Sequence, residues 1–200
     1  MIASFLSRAL KRFWEHADPK KLPPEDIDRI LRILRLLNDA AAPEDLNVPG
    51  LHFHALRGQM RGRYAVTVRA NWRITFGWTG EDAIDVDFED YSLMAKAEPK
   101  HSKPHPDLRP CHPGEILREI ILPAVNKPLS ELAKALGITQ KAFSDLVNEK
   151  TSLSPELAVR LEAAFGRTAP AWMRMQETYD LWHARRAIDV SSIPRLTGAA

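Results

Sequence analysis

Between residues 51 and 89 the apolar side chains recur at every second position, and this period constrains the fold more than any other feature. Leu51, Phe53 and Ala55 alternate with His52 and His54, and Tyr64, Val66 and Val68 alternate with Ala65, Thr67 and Arg69. Trp72, Ile74, Phe76 and Trp78 then alternate with Arg73, Thr75 and Gly77, and Ile84, Val86 and Phe88 with Asp85, Asp87 and Glu89. A period of two puts successive side chains on opposite faces of a strand, so four half-buried strands are predicted. Their connections are too short for the crossovers that parallel strands require, which leaves an antiparallel meander. Upstream the period is helical, over 4–16 and over 25–38, where Ile27, Ile30, Leu31, Leu34 and Leu37 form one stripe. Pro23 and Pro24 suit a helix start, and AAPEDLNVPG after residue 39 is loop chemistry. The first part of the chain is therefore read as α+β, two helices on one face of a four-stranded antiparallel sheet.

From Ser92 the pattern stops. SLMAKAEPKHSKPHPDLRPCHPG carries five prolines and no periodicity, which is the composition of an extended linker. Met94 followed by Ala-Lys looks like a translation start, as if two genes had been joined here. Everything after it is helical, over 114–124, 129–136, 139–148, 155–165 and about 170–186, punctuated by Gly137, Pro155 and Gly166. The expected organisation is an α+β domain at 1–92, a linker at 93–111, an all-α domain at 112–186 and a tail at 187–200.

Composition narrows the function classes. The one cysteine, Cys111, has no intramolecular disulfide partner, and no apolar run approaches the roughly 18–20 residues of a membrane span, so a cytoplasmic setting without a membrane partner is expected. The opening MIASFLSRALKRFW lacks the apolar core and cleavage pattern of a signal peptide. Charge is segregated: Arg57, Arg61, Arg63, Arg69 and Arg73 fall within 57–73 without an acid, whereas 81–90 holds six acids. If the apolar face of the sheet packs on the helices, then His52, His54, Arg69, Arg73 and the acids share the open face. His101, His105 and His112 do not have the spacing of a closed ligand set, and neither metal nor cofactor is expected.

In the second half, LSELAKALGITQKAFSDLVN describes two short helices joined through Gly137, with Leu132, Leu136, Ile138, Phe143 and Leu146 apolar and Ala133 small enough for a close crossing. That is the pattern of a helix-turn-helix, although helix-Gly-helix pairs also occur in plain bundles. Thr139 is placed to cap the second helix, which would expose Gln140, Lys141, Ser144, Asp145 and Asn148. Gln can pair with adenine, and Ser and Asn reach bases or phosphates. Thr139, Gln140, Lys141, Ser144 and Asn148 are thus the candidate DNA contacts. Residues 112–186, most clearly the HPGEIL opening and the YDLW ending, resemble the HigA family of antitoxins, repressors of the Xre-like class. The resemblance implies operator DNA as a partner and a homodimer through the C-terminal domain. Trp172, Met175, Tyr179 and Trp182 recur along one stretch of the last helix and are the candidate dimer contacts, with packing inside the domain as the alternative.

Cutting RNA without a metal requires a base for the 2′-OH, cations for the phosphorane and a proton for the leaving oxygen. Arg57, Arg69 and Arg73 beside His54, with Asp90 and Tyr91 at the end of the last strand, offer such a set. FHALRG, VRANWRITF and DVDFEDY resemble the HigB branch of RelE-like toxins, which are ribosome-dependent messenger RNA endonucleases. The resemblance covers nearly all of 1–92 and carries the catalytic positions onto His54, Arg57, Arg69, Arg73, Asp90 and Tyr91. That family commonly has Lys where Arg57 stands, and often ends Asp-Tyr-His where this chain has Ser92 after Tyr91. Two readings follow: a fused toxin and antitoxin whose nuclease acts on mRNA at the ribosome while the second half restrains it and represses its operator, or a repressor whose toxin-like half is a catalytically inactive interaction module.

Overall fold

The computed structural model describes residues 1–90, 105 and 107–191. Helices α1 (Arg8–His16) and α2 (Ile27–Asn38) precede strands β1 (His54–Ala55), β2 (Arg63–Arg69), β3 (Trp72–Thr79) and β4 (Asp82–Asp90). The strands form one antiparallel sheet in the order β1-β2-β3-β4, the meander that the alternation predicts. Tyr64, Val66 and Val68 of β2 and Trp72, Ile74 and Phe76 of β3 face the helices, with Phe76, Val66 and Ile74 fully buried.

Two boundaries differ from the sequence reading. The first helix begins at Arg8, where the Ser7 hydroxyl caps it by accepting from the Leu10 N–H at 3.2 Å. The residues before it run parallel to β4 as an edge, with Ala3 N–H donating to Ala83 O at 2.8 Å and Leu6 N–H to Val86 O at 2.9 Å. A parallel edge of this kind is invisible to period alone, because α1 and α2 serve as its crossover. The first strand is only His54–Ala55, since His52 takes a left-handed φ of 49° and breaks the extended run while Leu51 stays buried.

In the second half, α3 (Pro113–Ile116), a π-helical stretch (Leu117–Ile121) and α4 (Leu122–Val125) continue as one rod, followed by α5 (Leu129–Ala135), α6 (Gln140–Val147), α7 (Pro155–Phe165) and α8 (Ala169–Ala187). His112 caps the rod by accepting from Gly114 N–H at 3.0 Å, with Pro113 in the first turn where its missing donor costs nothing.

The two halves share one continuous core. Helix α2 explains why: Ile30, Ile33, Leu34, Leu36 and Leu37 are all fully buried, so its apolar residues are covered on two sides. One side meets the sheet, and the other meets the second half. Arg167 is 0% exposed and donates to Leu36 O and Asp45 O, both at 3.2 Å. Thr168 N–H donates to Asp45 Oδ1 at 2.9 Å, and Arg174 donates to Asp39 O and Ala40 O at 3.2 Å. Gly50, at φ +89°, packs so closely that a Cβ there would lie 2.7 Å from Ile120 O. The end of the expected linker joins this seam as well, with His105 N–H donating to Trp14 O at 2.6 Å and Cys111 buried beside Arg35. The rest of that linker, apart from 107–111, lies outside the described residues.

Candidate nucleic-acid interfaces

On the open face of the sheet one cross-strand row holds His54, Ala65, Thr75 and Asp87, and the next holds Thr67, Arg73 and Glu89. Residues directly opposite share a face, so this register places His54, Arg73, Asp87 and Glu89 on one side. His54 is exposed and its Nδ1 lies 2.9 Å from the His52 carbonyl. A carbonyl can only accept, so Nδ1 carries the proton and Nε2 of the neutral ring keeps its lone pair for solvent or ligand. Arg57 is also exposed. Arg73 donates to Ala70 O at 2.6 Å and Trp72 O at 3.3 Å, bracing the turn between β2 and β3, where Ala70 takes a positive φ.

Arg69 does not join them. A register shift between Thr67 and Arg69 sets it opposite Trp72, on the helix side, where its Nε meets both Asp26 oxygens at 2.7 Å and its Nη2 meets Glu25 at 2.8 Å. The hydrogen bond to Asp26 raises its pKa further. The expectation that Arg69 shares the open face with Arg73 is corrected by this bulge, which a strict alternation cannot register. Asp90 also pairs with Trp72 and so stands on that residue's face, at the sheet end. Tyr91 lies outside the described residues.

Two further carboxylates, Asp87 and Glu89, stand on the same face as His54 and Arg73. Burial pushes Asp87 and Glu89 above the usual carboxylate range, and the Asp87 charge, two residues away on the same strand face, raises Glu89 further. Arg63, which donates to Thr75 Oγ1 at 3.1 Å and Asp85 O at 2.8 Å, offsets part of that rise. The acids at every second position of β4 are the sequence signal that could have found them.

The second surface is the α5–α6 pair. Gly137 turns it at φ +66°, and a Cβ there would lie 2.6 Å from Arg160 Nη1. That guanidinium donates to Leu136 O at 2.7 Å and holds the end of α5. Thr139 caps α6 by accepting from Ala142 N–H at 3.1 Å, which uses its hydroxyl as an acceptor, while Gln140 and Lys141 stay exposed. Lys141 pairs with Asp145 at 2.6 Å, one turn on, and this hydrogen bond lowers the Asp145 pKa. Asn148 donates to Ser144 O at 2.8 Å and Ser144 Oγ at 3.2 Å. Leu132, Leu136, Phe143 and Leu146 are buried beneath, so the polar residues line the outer side of the helix.

The expected dimer residues separate. Trp172 and Met175 are 0% exposed and belong to the intramolecular core, because the last helix begins beneath α7 and beside Arg167. Tyr179 packs edge-on against the His112 ring at 4.9 Å. Trp182 is half-buried with Arg186 stacked 3.7 Å from its ring centre. Among the described residues no group of three or more His, Cys, Asp and Glu is placed to hold a metal ion, and no helix is long and apolar enough to cross a membrane.

Comparison with known proteins divides the chain in the same way. Residues 3–91 match the family model of the RelE-like toxin of type II toxin-antitoxin system HigB, and residues 117–172 match a helix-turn-helix model. The endoribonuclease HigB of Proteus vulgaris is 38% identical over 91 residues, covering 46% of this chain and 99% of that protein. Antitoxin HigA-1 of Vibrio cholerae is 34% identical over 77 residues, covering 38% of this chain and 72% of that protein. Among solved structures, the Pseudomonas aeruginosa antitoxin HigA with higBA promoter is 34% identical, covers 44% of this chain and 100% of that one, and superposes with a TM-score of 0.41.

Proposed function

Because the chain belongs to the HigB-like toxin family over its first half and to the HigA-like helix-turn-helix antitoxins over its second, we propose that it is an operator-binding autorepressor carrying its own restrained messenger RNA endonuclease. The observation that carries this reading is which surfaces the fold leaves outside: Gln140 and Lys141 on α6, and His54 and Arg57 at the sheet edge, are exposed while the seam between the halves is buried. The units are residues 1–92 and 112–186, joined by 93–111 and followed by the tail at 187–200.

In the nuclease step His54 Nε2 takes the proton of the 2′-OH. The 2′ oxygen then bonds to phosphorus, the bond from phosphorus to the 5′ oxygen breaks, and Arg57 and Arg73 stabilise the charge on the phosphorane. Asp87 and Glu89 keep a proton to higher pH than ordinary carboxyls, which suits delivery to the departing 5′ oxygen. The family motif keeps Asp90 and Tyr91 among the candidates, although Asp90 pairs with Trp72 on the helix side, and Arg69, held by Asp26, supports the hairpin rather than the phosphate. Message held open in the ribosome would supply the in-line geometry. Restraint comes from bulk: the second half is fixed against α2 and leaves His54 exposed, so it hinders entry to a narrow ribosomal site without masking the residues.

For DNA, Gln140 reads a base edge and Lys141 meets phosphate once released from Asp145, with Thr139, Ser144 and Asn148 flanking them. A two-fold operator needs two such helices about one turn of DNA, roughly 34–36 Å, apart, so the chain pairs through its second half. Leu181 and Trp182 on the outer part of α8, rather than Trp172 and Met175, face a second copy.

The test uses the full chain. Selection from random duplexes at fixed salt should recover a palindrome, with Gln140→Ala relaxing discrimination and Lys141→Ala weakening all duplexes evenly. A chain without sequence preference refutes the repressor. Messenger RNA cleavage that appears only in a translating extract and disappears in His54→Ala supports the nuclease, whereas a folded chain that never cuts leaves the second reading, a repressor with a silent toxin-like module.

A further inference from the structure

One continuous set of charged side chains runs from the toxin-like half to the end of the recognition helix. Arg32, on α2, donates from Nε to Glu115 Oε1 at 3.0 Å. The other Glu115 oxygen accepts from Arg109 Nη2 at 2.9 Å, and Arg109 Nη1 reaches Glu149 Oε2 at 3.3 Å. Glu149 Oε1 accepts from Arg118 Nη2 at 3.0 Å, and Arg118 Nη1 donates to the carbonyl of Val147, the last residue of α6, at 2.7 Å. Glu115 is 8% exposed, and Glu149 takes a left-handed φ of 59° just past the helix end.

The backbone is equally tight at this point. A Cβ on Gly114 would lie 2.0 Å from Leu146 O, so the start of the α3 rod abuts the last turn of α6. Burial pushes the Glu149 carboxyl up, but its hydrogen bonds to Arg118 and Arg109 outweigh this and hold it below its usual range. The end of α6 is thus fixed by a charged network with one member, Arg32, supplied by the other half of the chain.

We propose that Arg32 and Glu149 are positioning residues for DNA reading, through which the docked toxin-like half sets the tilt of the recognition helix. This inference rests on the operator-binding reading. Neither residue is on the outer side of α6, and each acts through the carbonyl end of that helix. An eight-residue helix is about 12 Å long, so a pivot of about 5° at its fixed end moves Gln140 by roughly 1 Å. Base-edge contacts hold only within about 0.5 Å of their productive geometry, so a change of that size lowers discrimination more than it lowers general affinity for phosphate.

The experiment measures, for the full chain at one salt concentration, the ratio of affinities for the duplex recovered by random selection and for a scrambled duplex of equal length. Arg32→Gln and Glu149→Gln should each lower that ratio about five- to ten-fold, with Arg32→Lys restoring most of it and scrambled-duplex affinity nearly unchanged. Because both act through one network, the double variant should be no worse than Glu149→Gln alone, a coupling that independent destabilisation would not produce. Melting curves run beside the assay ensure that each variant is compared as folded chain, and Arg32→Lys keeps the charge if Arg32→Gln unfolds. An unchanged ratio in Arg32→Gln, with Gln140→Ala still lowering it, overturns the inference and leaves the operator reading standing. No preference in the parent chain removes both.

Discussion

Arginines at the seam between the halves and arginines at the sheet edge look alike in the sequence and do opposite things in the fold. At the seam, Arg167 is fully enclosed and spends its donors on the carbonyls of Leu36 and Asp45, and Arg174 reaches Asp39 and Ala40. Enclosure lowers the Arg167 pKa to about 10, with Asp39 and Asp45 nearby limiting the fall. At the edge, Arg57 remains in solvent beside an exposed His54. The difference teaches that positive charge alone does not predict a ligand, because carbonyls and carboxylates of the fold can claim the donors. Arg69 makes the same point within the edge itself, since Asp26 and Glu25 hold it.

The largest effect expected from breaking this contrast is at the seam. Arg167→Leu leaves buried carbonyls and Asp39 without their cation, and should cost about 3–5 kcal/mol in urea unfolding of the full chain. A cost below about 1 kcal/mol would show that the seam is held by its apolar contacts alone. The parent chain should unfold in one transition by both fluorescence and far-ultraviolet signals, because the core is continuous across the halves.

Next comes the edge. Arg73→Ala should reduce translation-dependent cutting by about 10²–10³ if the guanidinium acts on the phosphorane as an oxyanion donor does. Equal cutting by a folded Arg73→Ala chain would move Arg73 to the side of Arg69, a brace for the hairpin turn.

A third prediction sharpens the seam through pH. Asp45 is 0% exposed; burial raises its pKa, but the hydrogen bonds from Thr168 and Ala41 outweigh burial and leave it below the ordinary carboxylate value of 3.8. Its folded pKa is depressed, so its contribution is present above the unfolded value and is lost as pH falls through the folded one. Stability of the parent chain should therefore drop as pH is taken below about 4, and Asp45→Asn should show less of that drop. Identical acid limbs in the two proteins would remove Asp45 from the account. Asp39 has the opposite sign: burial raises its pKa, so its contribution is present in acid and fades as pH rises through the folded value.

The smallest effect concerns Cys111, whose thiol burial pushes up to about 11. Iodoacetamide at about pH 8 should label it only after unfolding, since the thiolate is the nucleophile. Rapid labelling of the folded chain would mean that the seam opens.

By itself the sequence determined the elements, because period two and period 3.6 are local consequences of which side chains meet a core. It also determined the helix-turn-helix, since Gly137, Thr139 and the apolar set around Phe143 lie within one short stretch. The candidate residues His54 and Arg57 were legible from the FHALRG motif, and the acids at alternate positions of β4 were present to be noticed. Tertiary structure decided where each charge went. The bulge after Thr67 turned Arg69 toward Asp26, the parallel edge at Ala3 and Leu6 exists only through its pairing with β4, and the two-sided burial of α2 left Trp172 and Met175 inside. Those outcomes depend on partners from 43 to more than 100 residues away, such as Arg167 with Leu36 across 131 positions, and a hydrogen bond at that separation leaves no periodic trace in the chain.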